Sequence, residues 1–346
     1  MRVLVAMSGG VDSSVAAALV REAGHEVVGA TMKLWGGPSD SGCCSVADVV
    51  DARRVCDELG IEHHVFNFTE RFEAAVLAPY ASEHARGATP NPCAACNRHV
   101  KFGALLDRAL RLGFDAIATG HHAQVVRGPA GRFALARGRD ERKDQSYVLA
   151  MLTQRELART LLPVGAHTKT EVRALAAARG LRTAAKAESQ DVCFIASRTD
   201  RGARAAFLAE RIALHPGRLV DASSGAPLGE LDALELVTVG QRRGLNLPLG
   251  DRRYALRVDV ERREVHVGTA ADLAVREIGL AERTWVDAPL PSGTRVAVQT
   301  SAHGEARPAT LTDRGIAFDE PARRCAPGQL VACYRGEQVV GSGVAA

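Results

Sequence analysis

Apolar residues follow two rhythms along this chain, and the rhythm changes once. Over the first 120 residues, short unbroken apolar runs alternate with stretches in which apolar positions recur every three or four residues. The runs predict strands at 2–7, 25–32, 63–68 and 114–119, and the longer period predicts helices at 12–23, 46–59, 71–85 and 98–112. Strands alternating with helices imply a doubly wound parallel sheet with right-handed crossovers, whose ligands bind beyond the carboxyl ends of the strands. Ser8 and Gly120, each directly after a predicted strand, fall at that edge. Residues 121–145 read as a hairpin with a glycine turn (Gly128, Pro129, Gly131) and a basic loop, and helical patterns return at 146–151 and 169–179. The character changes near 197–202. From about 280 onward the chain is rich in Val, Thr, Gly and Pro, with short alternating strands such as 294–300 and 329–334, the pattern of a small antiparallel barrel. The expected architecture is α/β: a sheet domain over 1–200, a small middle domain over 201–275 and a β-barrel over 276–346.

Composition adds exclusions. The 346 residues include 46% hydrophobic and 24% charged positions, an ordinary globular balance. Forty-four basic against forty acidic residues leave +4, so no polyanion-binding tail is implied; 39 of the basic residues are Arg and five are Lys. No apolar run approaches the roughly 18 residues of a membrane span. The apolar run at the N-terminus is too short for a secretory signal. Eight cysteines are too sparse for a disulfide scaffold, which points to the cytoplasm and turns attention to reactive or metal-binding thiols.

Two segments carry candidate chemistry. Ser8-Gly9-Gly10-Val11-Asp12-Ser13-Ser14 lies between a strand and a helix. Its glycines let backbone approach a ligand, and the following helix offers open amides to phosphate. The Gly-Lys-Ser/Thr ending of a Walker loop is missing. Asp12 is a candidate Mg2+ ligand on a bound pyrophosphate, or else a helix cap. The second segment holds Cys93 and Cys96 within Thr89-Pro90-Asn91-Pro92-Cys93-Ala94-Ala95-Cys96-Asn97, with Cys96 expected at the start of a helix, where a thiol is more nucleophilic. Cys193, in Glu188-Ser189-Gln190-Asp191-Val192-Cys193-Phe194, is a third candidate. Buried structural thiols, a redox or sulfur-transfer pair, and an iron–sulfur cluster on Cys93, Cys96 and Cys193 all remain open. A four-cysteine zinc site lacks a second CxxC, since Cys43 and Cys44 are adjacent. Cys56, Cys325 and Cys333 fit core positions.

The glycine loop matches the SGGxDS signature of the PP-loop ATP pyrophosphatase superfamily. Together with PNPCxxCN and VKFG, then ATGHHA, KDQSY, ESQDVCFI, GQRRGL and DEPxxxxxPGQ, it resembles the tRNA-specific 2-thiouridylases of the bacterial MnmA type, in order from Ser8 to Gln329. The resemblance implies ATP bound by Ser8–Ser13, with backbone around Ala6, Met7, Met32 and Gly120 at the adenosine. It implies that Cys193 accepts sulfur as a persulfide from a sulfur-relay protein, and that Cys96 is the second catalytic thiol, forming a disulfide with Cys193 during turnover. ATP would adenylate the C2 oxygen of wobble uridine 34 in the tRNAs for Lys, Glu and Gln. Asn91, Pro92 and Cys93 would bound the pocket of the target base, and His121, Lys143, Asp144, Gln145 and Gln329 would meet tRNA. Two departures stand out: Cys93 where many relatives carry Asp, and Ser301-Ala302-His303 where many carry Arg-Tyr-Arg. Six basic and two acidic residues between 127 and 143 are compatible with a local phosphate-facing patch. Two rivals are a PP-loop synthetase acting on a small acceptor, which leaves the thiols unused, and a tRNA-binding or sulfur-carrying module without catalysis.

Overall fold

The computed structural model describes residues 1–35, 45–128, 131–187, 192–195, 201–245, 247 and 252–346. The expected Cys43–Cys44 pair, Pro129, the Ser189-Gln190-Asp191 stretch and the change of character at 197–200 lie outside them.

The first domain is built on a five-stranded, wholly parallel sheet in the order β3-β2-β1-β4-β7: β1 (Arg2–Ala6), β2 (Glu26–Lys33), β3 (Glu62–Asn67), β4 (Ala116–Ala118) and β7 (Thr160–Leu161). Val3, Leu4 and Val5 of the central β1 are fully buried, so neighbouring side chains are covered on both faces, each contributing about 1.5–3 kcal/mol. Local chemistry fixes the flanking helices. Helix α1 (Val11–Glu22) follows β1; α2 (Val46–Leu59) starts on Ser45, which accepts from the Asp48 amide at 3.1 Å, and stops at Gly60 in a left-handed conformation. Two long helices follow, at residues 69–85 and 92–111, each with a π-helical stretch (Glu73–Leu77 and Asn97–Leu105).

Two expectations need correction. The helix expected at 146–151 is a single 3-10 turn, Tyr147–Leu149, and β7 went unread because two residues carry no periodicity. The expected hairpin forms as β5 (Ala123–Arg127) and β6 (Phe133–Arg137), but it joins a different sheet from its own domain's.

That second sheet is the C-terminal barrel. Six antiparallel strands, β12 (Ala274–Trp285), β13 (Arg295–Gln299), β14 (Arg307–Leu311), β15 (Gly315–Arg323), β16 (Leu330–Arg335) and β17 (Gln338–Ala345), close through β12–β17 pairing. β6 then adds to β17 through Ala136–Gln338 and Leu135–Val339. Tyr147 donates its hydroxyl to the Leu330 carbonyl, and the Ser146 and Tyr334 hydroxyls lie 3.1 Å apart, so barrel and first domain share a polar seam inside the core. Between them lies a four-stranded sheet, β10 (Tyr254–Asp259), β11 (Glu264–Gly268), β8 (Gly217–Asp221) and β9 (Pro227–Leu231), in that order. No helix among the described residues is long and apolar enough to cross a membrane.

Candidate active site

The glycine loop turns sharply out of β1. The Ser8 amide donates to Ser13 Oγ at 3.2 Å, while the Ser13 and Ser14 hydroxyls donate back to the Gly10 carbonyl at 3.0 and 2.8 Å. Gly10 is the N-cap of α1 and no side chain caps the helix, so the capping reading of Asp12 is wrong and the first-turn amides are left for a ligand. Two glycines are fixed by close approach. Gly9 has φ +70°, and a Cβ there would lie 2.3 Å from the Asp48 carbonyl oxygen; a Cβ on Gly120 would lie 2.6 Å from the backbone of Asp12 and Ser13. Ala6, Met7, Val11 and Met32 line the same edge, Met7 donating its amide to Ala30 and accepting the Thr31 hydroxyl on its carbonyl at 2.9 Å.

Asp12 is committed elsewhere. Lys169 Nζ reaches its two oxygens at 2.7 and 2.6 Å, and His122 Nε2 lies 3.1 Å from Oδ1. Burial works to raise the Asp12 pKa, but the His122 and Lys169 hydrogen bonds outweigh it and hold the carboxyl below its ordinary value. A carboxylate already holding an ammonium does not present the open oxygens that Mg2+ needs, so the expected Mg2+ role of Asp12 does not fit this arrangement. Lys169 and His122 were not anticipated. Lys169 is itself set by Asp140, which accepts its amide at 2.8 Å, and by the Thr168–Glu171 capping box.

The 143–145 segment supports this network from behind. Gln145 Oε1 accepts the His122 amide at 2.9 Å, and Asp144, largely buried, accepts from Arg137, Gly138 and Ser146. The Lys143 amide donates to the Asp140 carbonyl. His121 is only 8% exposed, bonded to Thr119 at 2.7 Å, with burial pushing its pKa well down, so it is a neutral interior imidazole. Its ring packs 5.8 Å from that of Phe102, on the helix at 92–111.

That helix carries the thiols. Asn91 is its N-cap, its Oδ1 accepting from the Ala94 amide at 3.0 Å, and Pro92 occupies the first position. Cys93 therefore sits second, half-buried, and Cys96 sits a turn further in, 7% exposed; the expectation that Cys96 opens the helix is corrected. The barrel braces the loop before it: the Thr89 amide donates to Pro327, Gln329 Nε2 donates to the Thr89 carbonyl at 2.5 Å, and Gly328 packs on Pro90. Gln329, expected at tRNA, bonds here to the loop that leads into Asn91.

Cys193 lies in a short segment pinned by its neighbour. Phe194 packs edge-on to Phe72 and Tyr80 and tilts against Phe207 at 4.8 Å. Tyr80, whose phenol is pushed up mainly by burial and partly by Cys93, stands between the Cys93 turn and the Cys193 segment. Val192 adopts φ +58°, a conformation that costs a β-branched residue about 1–3 kcal/mol, immediately before the thiol. Upstream, Lys186 binds Asp48 at 2.7 Å and Asp51 at 2.6 Å, tying the approach to Cys193 to the helix under Gly9. Among the described residues no three Cys, His, Asp or Glu side chains gather as a metal centre requires, so Cys93, Cys96 and Cys193 do not form a cluster-binding triad in this conformation. Cys56 and Cys333 are core thiols and Cys325 is half-buried, burial pushing each up to about 12. Ser301 and His303 are exposed at the barrel rim.

An open helix N-terminus at the carboxyl edge of a parallel sheet places the first domain among the α/β domains built to hold a phosphorylated ligand. Residues 1–197 match the family model described as the tRNA methyl transferase HUP domain. Residues 205–269 match the tRNA methyl transferase PRC-barrel domain, and 275–345 the aminomethyltransferase beta-barrel domain. Full-length relatives agree: the tRNA-specific 2-thiouridylase MnmA of Chloroflexus aurantiacus (strain ATCC 29366 / DSM 635 / J-10-fl) is 46% identical over 99% of this chain and 97% of its own. That of Acidothermus cellulolyticus is 48% identical over 99% and 96%. The chain belongs to the tRNA-specific 2-thiouridylase (MnmA) family. A solved 4-thiouridine synthetase–RNA complex with bound ATP is a more distant likeness, at 17% identity over 61% of this chain and 50% of that one, with a TM-score of 0.36.

Proposed function

We propose that this chain is a tRNA 2-thiouridylase that consumes ATP and moves sulfur through Cys193 and Cys96. The observation that carries the reading is a bridge: in the Gly120-His121-His122 segment, Gly120 packs on Asp12–Ser13 of the glycine loop while His121 packs on Phe102 of the thiol-bearing helix. Phosphate-binding amides and thiols are thereby held against one short segment, as a reaction joining nucleotide and sulfur chemistry requires.

In this reading the amides of α1 and the turn at Gly9–Gly10 hold the ATP phosphates. The C2 oxygen of uridine 34 attacks the α-phosphate, releasing pyrophosphate and making that oxygen part of an AMP leaving group. Such activation is necessary because an amide-like carbonyl oxygen does not otherwise leave. A base reaching this depth must leave its stack, and Asn91, Pro92 and Cys93 stand where it would enter. The terminal sulfur of a Cys193 persulfide attacks C2 and AMP departs. Cys96 thiolate then attacks the Cys193 sulfur, breaking its bond to the transferred atom; 2-thiouridine leaves and a Cys96–Cys193 disulfide remains, to be reduced before the next cycle. A persulfide-donating protein supplies the sulfur.

The test is incorporation of labelled sulfur into tRNA with ATP and a persulfide source, run anaerobically with iron content assayed. Label at uridine 34 that is lost in Cys193→Ala and Cys96→Ala but survives in Cys93→Ala is the expected result. Loss in all three variants, with iron bound to the wild type, would replace the persulfide route by a cluster.

A further inference from the structure

A groove of about 460 Å3 runs along the outer side of the helix at 92–111, beginning at Arg98, two residues beyond Cys96. Five exposed arginines line it, Arg71, Arg98, Arg108, Arg111 and Arg155, against two carboxylates, Asp107 and Glu156. Those carboxylates are already used: Asp107 binds Arg155 at 2.6 Å, and Glu156 accepts from the Thr153 amide and hydroxyl that it caps. Arg98 leans on Glu282 at 3.5 Å, whereas Arg71 and Arg111 make no ion pair among the described residues. The Arg108 guanidinium lies 4.3 Å above the Phe66 ring, which orients it without neutralising it. His99, on the wall of the groove, registers the surplus: burial first, then Arg98 and Arg71, push its pKa down against a weaker pull from Glu282.

Clustered like charges destabilise a fold unless something neutralises them, and the shape of this cluster indicates what does so. Arginine forks match phosphate oxygens in pairs, and the groove follows the helix from Arg98 to Arg111. An RNA whose base reacts with a persulfide that Cys96 then resolves must carry its backbone away from the thiols. We propose that this groove is a docking track for the phosphate backbone of the substrate RNA. The inference rests on the reading of the chain as a tRNA-modifying enzyme and adds a surface to it, distinct from the residues 143–145, His121 and Gln329.

The test is equilibrium binding of unmodified substrate tRNA between about 50 and 200 mM salt. The wild type is compared with Arg71→Glu/Arg111→Glu, with the milder Arg71→Gln/Arg111→Gln, and with Arg262→Glu/Arg314→Glu, which changes the net charge equally at exposed sites far along the chain. Thermal melting confirms that each variant folds. The groove reversal should weaken binding about tenfold or more and flatten the log–log salt slope by about 2, one unit per lost phosphate contact, with the glutamine pair weakened less and the distant pair unchanged. Wild-type affinity and slope in the groove reversal would overturn the proposal and leave the groove to an acidic protein partner. Equal weakening in the distant pair would reduce it to net charge and overturn it as well. If the wild type itself failed to bind tRNA, the enzyme reading would fall together with the groove.

Discussion

The glycine loop and the thiol loop reach the same site by opposite means. The glycine loop is held by hydrogen bonds spanning three to five residues, Ser8 to Ser13 and Ser13 and Ser14 to Gly10. The thiol loop is held by residues some 240 positions away, through the Gln329–Thr89 bond and the Pro327 carbonyl. A phosphate cradle must be rigid before ligand arrives, and short-range bonds with backbone-tight glycines provide that. A loop tied down by a separate domain can respond to what that domain binds. Damage to the first region should therefore be local and severe, and damage to the second distributed and graded.

The largest effect expected is at Gly9. Gly9→Ala places a Cβ against the Asp48 carbonyl at a backbone φ of +70°, and should cost about 3 kcal/mol in denaturant unfolding while displacing α2. A silent substitution would show that the cradle is softer than its contacts suggest.

Next comes His84, a buried residue of the helix at 69–85 whose Nδ1 pairs with the Glu235 carbonyl of the middle region at 3.0 Å. Burial lowers its pKa to about 4. Below pH 6.5 the unfolded chain binds a proton that the folded one refuses, so stability falls as pH drops from 6.5 toward 4, by on the order of 3 kcal/mol. His84→Gln should flatten that limb of a stability–pH curve, and an unchanged limb would assign it to other groups.

Lys169→Met probes the cradle's charge. The folded pKa of Asp12 lies below 3.8, so its pairing stabilises the protein above that pH and is lost as pH falls through the folded value. Removing the ammonium leaves burial opposed chiefly by His122; the acid-sensitive window should move upward and stability at pH 7 fall by about 2 kcal/mol. Acid titration of both proteins followed by circular dichroism checks this.

The smallest effect belongs to the distant brace. Gln329→Ala should cost about 1 kcal/mol, and amide exchange should speed up at Thr89 and Ala94 more than at Ser8 or Ser13. Equal acceleration in both loops would erase the distinction between them.

Legibility in sequence follows the same division. Strands β1 to β3 were readable as short apolar runs, β13 and β16 by their alternation, and α1 and α2 by the 3.6 period that burial on one face writes into a helix. The transfer of β5–β6 to the barrel was not, since backbone pairing with β17 leaves no local mark. Within the site, Ser8–Ser13, Gly120 and the CxxC stood out by type and spacing. Lys169 and Lys186 did not, although a signal existed: only five lysines occur among 39 arginines, and two of them are these carboxylate clamps. A compact ammonium fits between close carboxylates where a planar guanidinium does not, so the rare lysine was the clue.

In the proposed reaction the glycine loop and the thiols act in sequence on one RNA base. The most direct test is pyrophosphate release from ATP, with and without tRNA, in the wild type and in Cys193→Ala. Release that tRNA stimulates in both proteins, with 2-thiouridine formed only by the wild type, is the predicted result. Release indifferent to tRNA in the wild type would contradict it.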